Sequence, residues 1–180
     1  MKKNKNKIAL WIGRFQPFHI GHLHVLKMIL SEYEFVTIVV GSAQEDYTIR
    51  NPLTAKERKN MIEKVMRSYG VEKSRFKIFL ADDIVTNSLW ANYIAKKVGR
   101  FDKVVTANAL TRILFSDSGF EVDKHHLFNR RVFSGTEVRK RITNGKDWSS
   151  LVPPTVFVDL QKIDIENRIR NIQESDNPYV

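Results

Sequence analysis

Residues 10 to 23, LWIGRFQPFHIGHL, constrain this chain more than any other stretch. Ile8 to Ile12 is an apolar run, too short for a helix and β-branched at both ends, which predicts a buried strand. Gly13 permits a turn, and Pro17 ends the strand and suits the chain just ahead of a helix. From Ile20 the apolar residues Leu23, Leu26 and Leu30 recur at helical spacing. A strand therefore hands over to a helix within a few residues, with Arg14, His19 and His22 around the junction. In an α/β sheet that junction favours phosphate, because free backbone N–H groups and the helix dipole both point at it. His19 and His22 are three apart and share one helix face. A cation, two imidazoles and a helix N-terminus aimed at one spot predict a polyphosphate site. Gly13 and Gly21 lack the G-x-G-x-x-G spacing, so this is not a dinucleotide fingerprint.

The rest of the chain repeats the alternation. Phe35 to Val40 is nearly all apolar, as a strand covered on both faces would be, and Gly41-Ser42 ends it. A polar loop over 43 to 53 carries Asp46, Arg50 and Pro52. Thr54 and Glu57 form a capping box for a helix that Gly70 ends. Phe76 to Leu80 is a third strand. Asn87 or Ser88 can cap a helix with Leu89, Trp90, Tyr93, Ile94 and Val98 on its apolar side, closed by Gly99. Asp102 to Thr106 is a fourth strand, followed by Asn108 and a short helix. Ser118-Gly119 marks a turn, and Phe120 to Phe128 reads as extended. Strand and helix in alternation predict a Rossmann-like α/β fold, a doubly wound parallel sheet with helices on both faces. Pro153-Pro154 opens a terminal helix over about 154 to 162, with another after Asp164, so 152–180 form a small helical extension. No linker divides 8–180, which reads as one domain behind a basic tail, residues 1–7.

Composition sets outer limits. The 180 residues contain no cysteine, which removes disulfides and thiolate metal sites. Arg14 interrupts the first apolar run, which argues against a signal peptide or a membrane span, so a cytoplasmic protein is expected. Thirty Lys and Arg against twenty Asp and Glu give a net charge of +10, so the expected partners are anions. The tail lysines have no interleaved aromatic residue for base stacking, and no nucleic-acid partner is expected.

A second stretch asks for the same ligand as the first. Val132-Phe133 reads as a strand end, and Ser134 with Glu137 as a capping box for a following helix. That geometry gathers the Ser134 and Thr136 hydroxyls, free backbone N–H groups and Arg139 at one helix N-terminus, a second anion site.

Gly13 to His22, GRFQPFHIGH, resembles the H-x-G-H signature of the nucleotidyltransferase α/β-phosphodiesterase superfamily, and Ser134 to Arg139, SGTEVR, its S-x-T-x-x-R signature. The longer match, with Gly41 to Gln44, Ile49-Arg50 before Pro52 and Asn87-Ser88-Leu89-Trp90, resembles the archaeal-type nicotinamide-mononucleotide adenylyltransferases over nearly the whole chain. The family often has Gly-Asn-Pro where this chain has Ala107-Asn108-Ala109.

The resemblance implies a reaction of ATP with nicotinamide mononucleotide to give NAD and pyrophosphate. It also implies a magnesium requirement and a homo-oligomer, a hexamer. His19, His22, Arg14 and Arg139 would be catalytic. ATP would meet Gly13, Arg14, Phe15, His19, Gly21, His22, Asn108, Ser134, Thr136, Val138 and Arg139. The mononucleotide would meet Ser42, Arg50, Asn87 and Trp90, with the Trp90 indole stacked on nicotinamide. Without the resemblance, Trp90 with Ile94 and Val98 reads as core on one helix face. Magnesium would bind phosphates and water, with no protein ligand named. His125-His126 and His24 are expected to be structural. Rival readings are an adenylyltransferase for pantetheine phosphate or riboflavin phosphate, a cytidylyltransferase, a nucleic-acid-binding domain, and a catalytically silent protein of the same fold.

Overall fold

A computed structural model describes residues 4–123, 129 and 131–175, with the side chains of residues 4–6 left aside. Among the described residues, five strands form one parallel sheet in the order β3-β2-β1-β4-β5. They are β1 (Asn4–Gly13), β2 (Tyr33–Val40), β3 (Phe76–Leu80), β4 (Lys103–Val105) and β5 (Val122–Asp123). Between and after them run α1 (Ile20–Glu32), α2 (Ala55–Ser68), α3 (Asn87–Val98), α4 (Ala109–Asp117), α5 (Gly135–Thr143), α6 (Pro154–Lys162) and α7 (Ile165–Ser175). This is the Rossmann-like α/β fold that the alternating pattern predicts.

The strand order reverses between β1 and β4. Right-handed crossovers therefore put the α1 and α3 connections on opposite faces, and the reversal leaves a crevice at the strands' C-terminal ends. Gly13 ends β1 there with Arg14 just after it, and Thr106 to Asn108 follow β4. Gly41 N–H bonds to the Gly13 carbonyl at 3.0 Å, which ties the Gly-Ser-Ala-Gln turn to the same edge.

By its internal contacts the chain divides into two compact units. One comprises Met1–Arg14, His24–Gln44 and Glu72–Leu127, the other Phe15–Leu23, Glu45–Val71 and Phe128–Val180. The first holds the sheet. Its core joins Leu10, Ile12, Val39 and Val104 of the strands to Trp90, Ala91 and Ile94 of α3 and Phe115 of α4. Alternate residues of β1 face this cluster, as the period of a strand requires. The second unit is mainly helical. Arg168 of α7 grips the Glu57 carboxylate of α2 through two bonds, at 2.8 and 2.9 Å, and also donates to the Pro52 carbonyl. Lys64 of α2 pairs with Asp159 of α6.

Several local expectations change. β1 begins at Asn4, inside the stretch expected to be a tail, because pairing with Tyr33 uses only main-chain groups. Thr86, not Asn87 or Ser88, occupies the N-cap of α3, and no side chain bonds there. Val132-Phe133 is a turn, not a strand end, since both N–H groups bond to the Asn129 carbonyl. The Ser134–Glu137 box is half formed. Ser134 Oγ accepts from Glu137 N–H at 3.2 Å, but the Glu137 carboxylate turns to Arg141 Nε at 3.0 Å. Of the segment expected to be extended, Val122–Asp123 is strand, and His125 and His126 lie outside the described residues.

Candidate active site

In the second unit the first signature builds the start of α1. His19 stands at the N-cap, its carbonyl accepting from Leu23 N–H at 3.0 Å. His22 is then the third helical residue. The His22 N–H donates to His19 Nδ1, and the His19 N–H donates to His22 Nδ1, both at 3.3 Å. This is a capping box built from two imidazoles in place of Ser or Thr and Glu. The rings stack, with centroids 3.7 Å apart and planes 26° from parallel. Phe15 and Phe18 pack on His22, with centroid separations of 4.7 and 5.3 Å.

The box fixes the chemistry of the pair. An Nδ1 that accepts a backbone N–H carries no proton, so each neutral ring has its proton on Nε2. Burial and the nearby Arg139 charge push the His19 pKa down to about 3. Burial and the coupling to His19 hold His22 well below the ordinary histidine range. Both rings are therefore neutral Nε2–H donors at neutral pH, the form that donates to an anionic oxygen.

Close approach here depends on two missing side chains. A Cβ on Gly21 would lie 2.7 Å from the Phe133 carbonyl and 3.0 Å from the His19 ring. A Cβ on Gly135 would lie 2.7 Å from the Gln16 carbonyl. The second signature forms the start of α5. Ser134 Oγ caps it, and Arg139 reaches back so that Nη1 donates to the Gln16 carbonyl at 2.6 Å and Nη2 to Thr136 Oγ1 at 3.5 Å. The two signatures thus meet through Arg139 and Gln16, although 123 residues separate those two. The Val138 side chain is fully buried and its N–H bonds to the Ser134 carbonyl, so it offers a ligand no side-chain contact. Arg50 is exposed on the loop that leads to α2.

In the first unit, Arg14 is exposed at the end of β1, and Ser42 is buried with φ of +48°. Asn108 caps α4, its side-chain oxygen accepting from Leu110 and Thr111 N–H at 2.9 and 3.2 Å. Asn87 is exposed in the first turn of α3. Trp90 is 8% exposed and sits in the sheet core, edge-on to Phe115 with ring centroids 6.0 Å apart. Its indole N–H points to the Asp82 carbonyl at 3.4 Å. The periodicity that places Trp90 with Ile94 on one helix face is what the packing follows.

Sequence reasoning missed the bonds of Gln16 to Leu53 and Arg139. No local spacing announces partners at positions 53 and 139. It also missed the cap role of Asn108, for which a short polar residue just ahead of a helix was a usable signal.

The comparisons follow this geometry. A cytidylyltransferase-like family model matches residues 10–141. The chain is 42% identical to a nicotinamide-nucleotide adenylyltransferase of Methanococcus aeolicus, over 93% of this chain and 96% of that one. Proteins of the same name from Archaeoglobus fulgidus and Saccharolobus solfataricus are 39% and 38% identical, each over 93% of this chain and 98% of the relative. The fold is similar to a solved bifunctional NMN adenylyltransferase/ADP ribose pyrophosphatase of Francisella tularensis, crystallised with AMP and a manganese ion. The TM-score is 0.75 at 24% identity, and 92% of this chain spans 51% of that one. The chain belongs to the cytidylyltransferase-like family and, within it, to the family of the nicotinamide-nucleotide adenylyltransferases.

Proposed function

We infer that this protein transfers AMP from ATP to nicotinamide mononucleotide, giving NAD and pyrophosphate. The observation that carries the reading is the two-histidine capping box beside Arg139, in a chain of this family. The acceptor's 5′-phosphate is already anionic at neutral pH, so the attack on the α-phosphorus needs no general base. Positioning and charge stabilisation are then sufficient.

The Nε2–H groups of His19 and His22 donate to the ATP phosphates, His22 nearer the α-phosphate. Arg14 and Arg139 hold the β- and γ-phosphates and the departing pyrophosphate. Ser134 and Thr136 donate to the same oxygens, and Asn108 lies beside the adenosine. Arg50 holds the acceptor phosphate, and Asn87 bonds the carboxamide or ribose. Among the described residues no group of three or more His, Cys, Asp or Glu side chains is placed to hold a metal ion. By resemblance, a divalent cation, magnesium, would enter with the ATP phosphates. The same resemblance implies a homo-oligomer, a hexamer, and the composition supports a cytoplasmic working form. Among the described residues no helix is long and apolar enough to cross a membrane.

The test is direct. Purified protein with magnesium, ATP and nicotinamide mononucleotide should release pyrophosphate and form NAD. If phosphopantetheine or riboflavin phosphate is adenylated instead, the acceptor assignment fails while the fold stands. Trp90→Ala separates the two roles that resemblance and packing give this residue. A stacked indole predicts a KM rise for the mononucleotide alone, worth about 1–3 kcal/mol by analogy with base stacking on aromatic side chains. A core indole predicts a stability loss of about 3–5 kcal/mol with both KM values little changed.

A further inference from the structure

Gln16 joins three segments of the second unit. It is 4% exposed. Its side-chain Nε2 donates to the Leu53 carbonyl at 2.7 Å, and its Oε1 accepts from the Leu53 N–H at 3.0 Å. One carboxamide thus satisfies both main-chain groups of a residue 37 positions away, as a strand partner would. Leu53 ends the loop that carries Arg50 and precedes the Thr54 cap of α2. The Gln16 carbonyl accepts from Arg139 Nη1 at 2.6 Å, with room left by the absent Cβ of Gly135. Three positions further on stands His19, the cap of α1.

We propose that Gln16 is a positioning residue for the transfer. Its carboxamide fixes the 45–53 loop to the peptide that orients Arg139, so that the groups for the acceptor phosphate and the leaving pyrophosphate keep one register. This rests on the adenylyltransferase reading, in which Arg50 and Arg139 hold opposite ends of an in-line reaction. Such a reaction tolerates little misplacement, since an error of about 1 Å from a remote change can cost a hundredfold. Gln16 touches no substrate in this account. It acts through Arg139 and the loop.

Gln16→Glu gives a test with its own control. A protonated glutamic acid keeps Gln16's shape, one donor and one acceptor. The carboxylate cannot donate to the Leu53 carbonyl and faces it with like charge. Burial raises the pKa of such a group, so the variant should move between the two states in an accessible pH range. With kcat referred to wild type at each pH, the variant should be at least about tenfold down near pH 8 and recover to within about twofold near pH 5.5. Circular dichroism must show the same folded signal at both ends. A change of the folded fraction alone would scale kcat with that fraction and leave no pH-dependent ratio in fully folded protein. Should the variant unfold at high pH, Gln16→Met is read in its place at neutral pH, where about tenfold lower kcat supports the proposal. Wild-type kcat across the range in folded Gln16→Glu, or at neutral pH in Gln16→Met, overturns it. An inactive wild-type protein would instead sink the adenylyltransferase reading.

Discussion

Two helix starts in the second unit use one geometry for opposite ends. At α2, Thr54 Oγ1 accepts from Glu57 N–H at 3.2 Å and the Glu57 carboxylate accepts from Thr54 N–H at 2.9 Å. At α1, His19 and His22 exchange the same two bonds through Nδ1. In both, the first free N–H groups of the helix are satisfied by side chains three residues apart. What differs is the remaining half of each side chain. Glu57 presents further acceptor oxygens and a negative charge, held below the usual carboxylate range by its bonds to Arg168 and Thr54 against the opposing cost of burial. That end of α2 repels anions and binds an arginine. An imidazole that accepts at Nδ1 presents a donor at Nε2. That end of α1 is therefore capped by side chains whose other nitrogen is a donor, the chemistry that the proposed phosphate contact uses. The spacing makes a cap, and the residue type decides whether the cap is a joint or a site.

Changing the site cap and the joint cap at the same helix position should break this contrast most sharply. On the proposed reading, His22→Ala removes the donor to the α-phosphate, where charge develops as pyrophosphate leaves. It should lower kcat by about a hundredfold or more, with KM for ATP changed much less. Because the attacking phosphate needs no base, higher pH and added imidazole should not restore it. His22→Gln, which can accept from His19 N–H and still donate, should retain more activity than His22→Glu, which caps equally well but presents a carboxylate. Equal kcat in the Gln and Glu variants would show that the cap alone matters. Glu57→Gln, the matching change at α2, should leave kcat near wild type and cost about 1–2 kcal/mol of stability through the weakened Arg168 pair.

The pair also leaves a mark on acid stability. Folding lowers the His19 pKa from the ordinary 6.5 to about 3. Between those values the unfolded chain binds a proton that the folded one does not. Stability is therefore complete above about pH 6.5, falls as the pH drops, and levels off near pH 3 as far as His19 is concerned. The slope should approach about 1.4 kcal/mol per pH unit for one such histidine. Urea titrations from neutral to acid pH, compared between wild type and His19→Asn, measure it. An unchanged slope in the variant would mean that His19 takes up its proton as readily in the folded protein as in the unfolded chain, and the lowered pKa would have to be dropped.

These contrasts show which parts of the molecule were readable in advance. The sheet strands were legible because Phe35 to Val40 and Phe76 to Leu80 are short apolar runs, and both are strands here. The Thr54–Glu57 box was legible because it depends on residues three apart in one helix start. The Ser134–Glu137 box has the same spacing and forms only half, because Arg141 one turn later offers Glu137 a charged partner. The strand residues Asn4 to Lys7 were hidden because main-chain pairing needs no apolar side chain. Gln16 with Leu53, and Arg168 with Glu57, were hidden for another reason. Their partners lie 37 and 111 residues away, and nothing in either local sequence requires them. The two signatures were thus visible in their local spacings, while the hydrogen bonds that tie distant segments together were not.

The smallest expected effect separates a cap from a contact in the first unit, where Asn108 has a claim to both. Its Oδ1 already accepts from Leu110 and Thr111 N–H, which accounts for the side chain's oxygen. The proposed adenosine contact must then come from Nδ2. Asn108→Asp keeps a cap acceptor and adds a negative charge at a helix N-terminus, where the dipole favours it, but removes the Nδ2 donor. Asn108→Ala removes both. If the two roles are divided between the two atoms, the melting temperature should fall only in the Ala variant, by the equivalent of about 1 kcal/mol. The KM for ATP should rise in both variants, by a factor of about 3 to 10 for one neutral hydrogen bond. A KM that rises only with Ala would show that the base is reached through the helix start and not through the amide nitrogen. Unchanged KM values in both, with the stability loss intact in Ala, would leave Asn108 as the cap of α4 and nothing more.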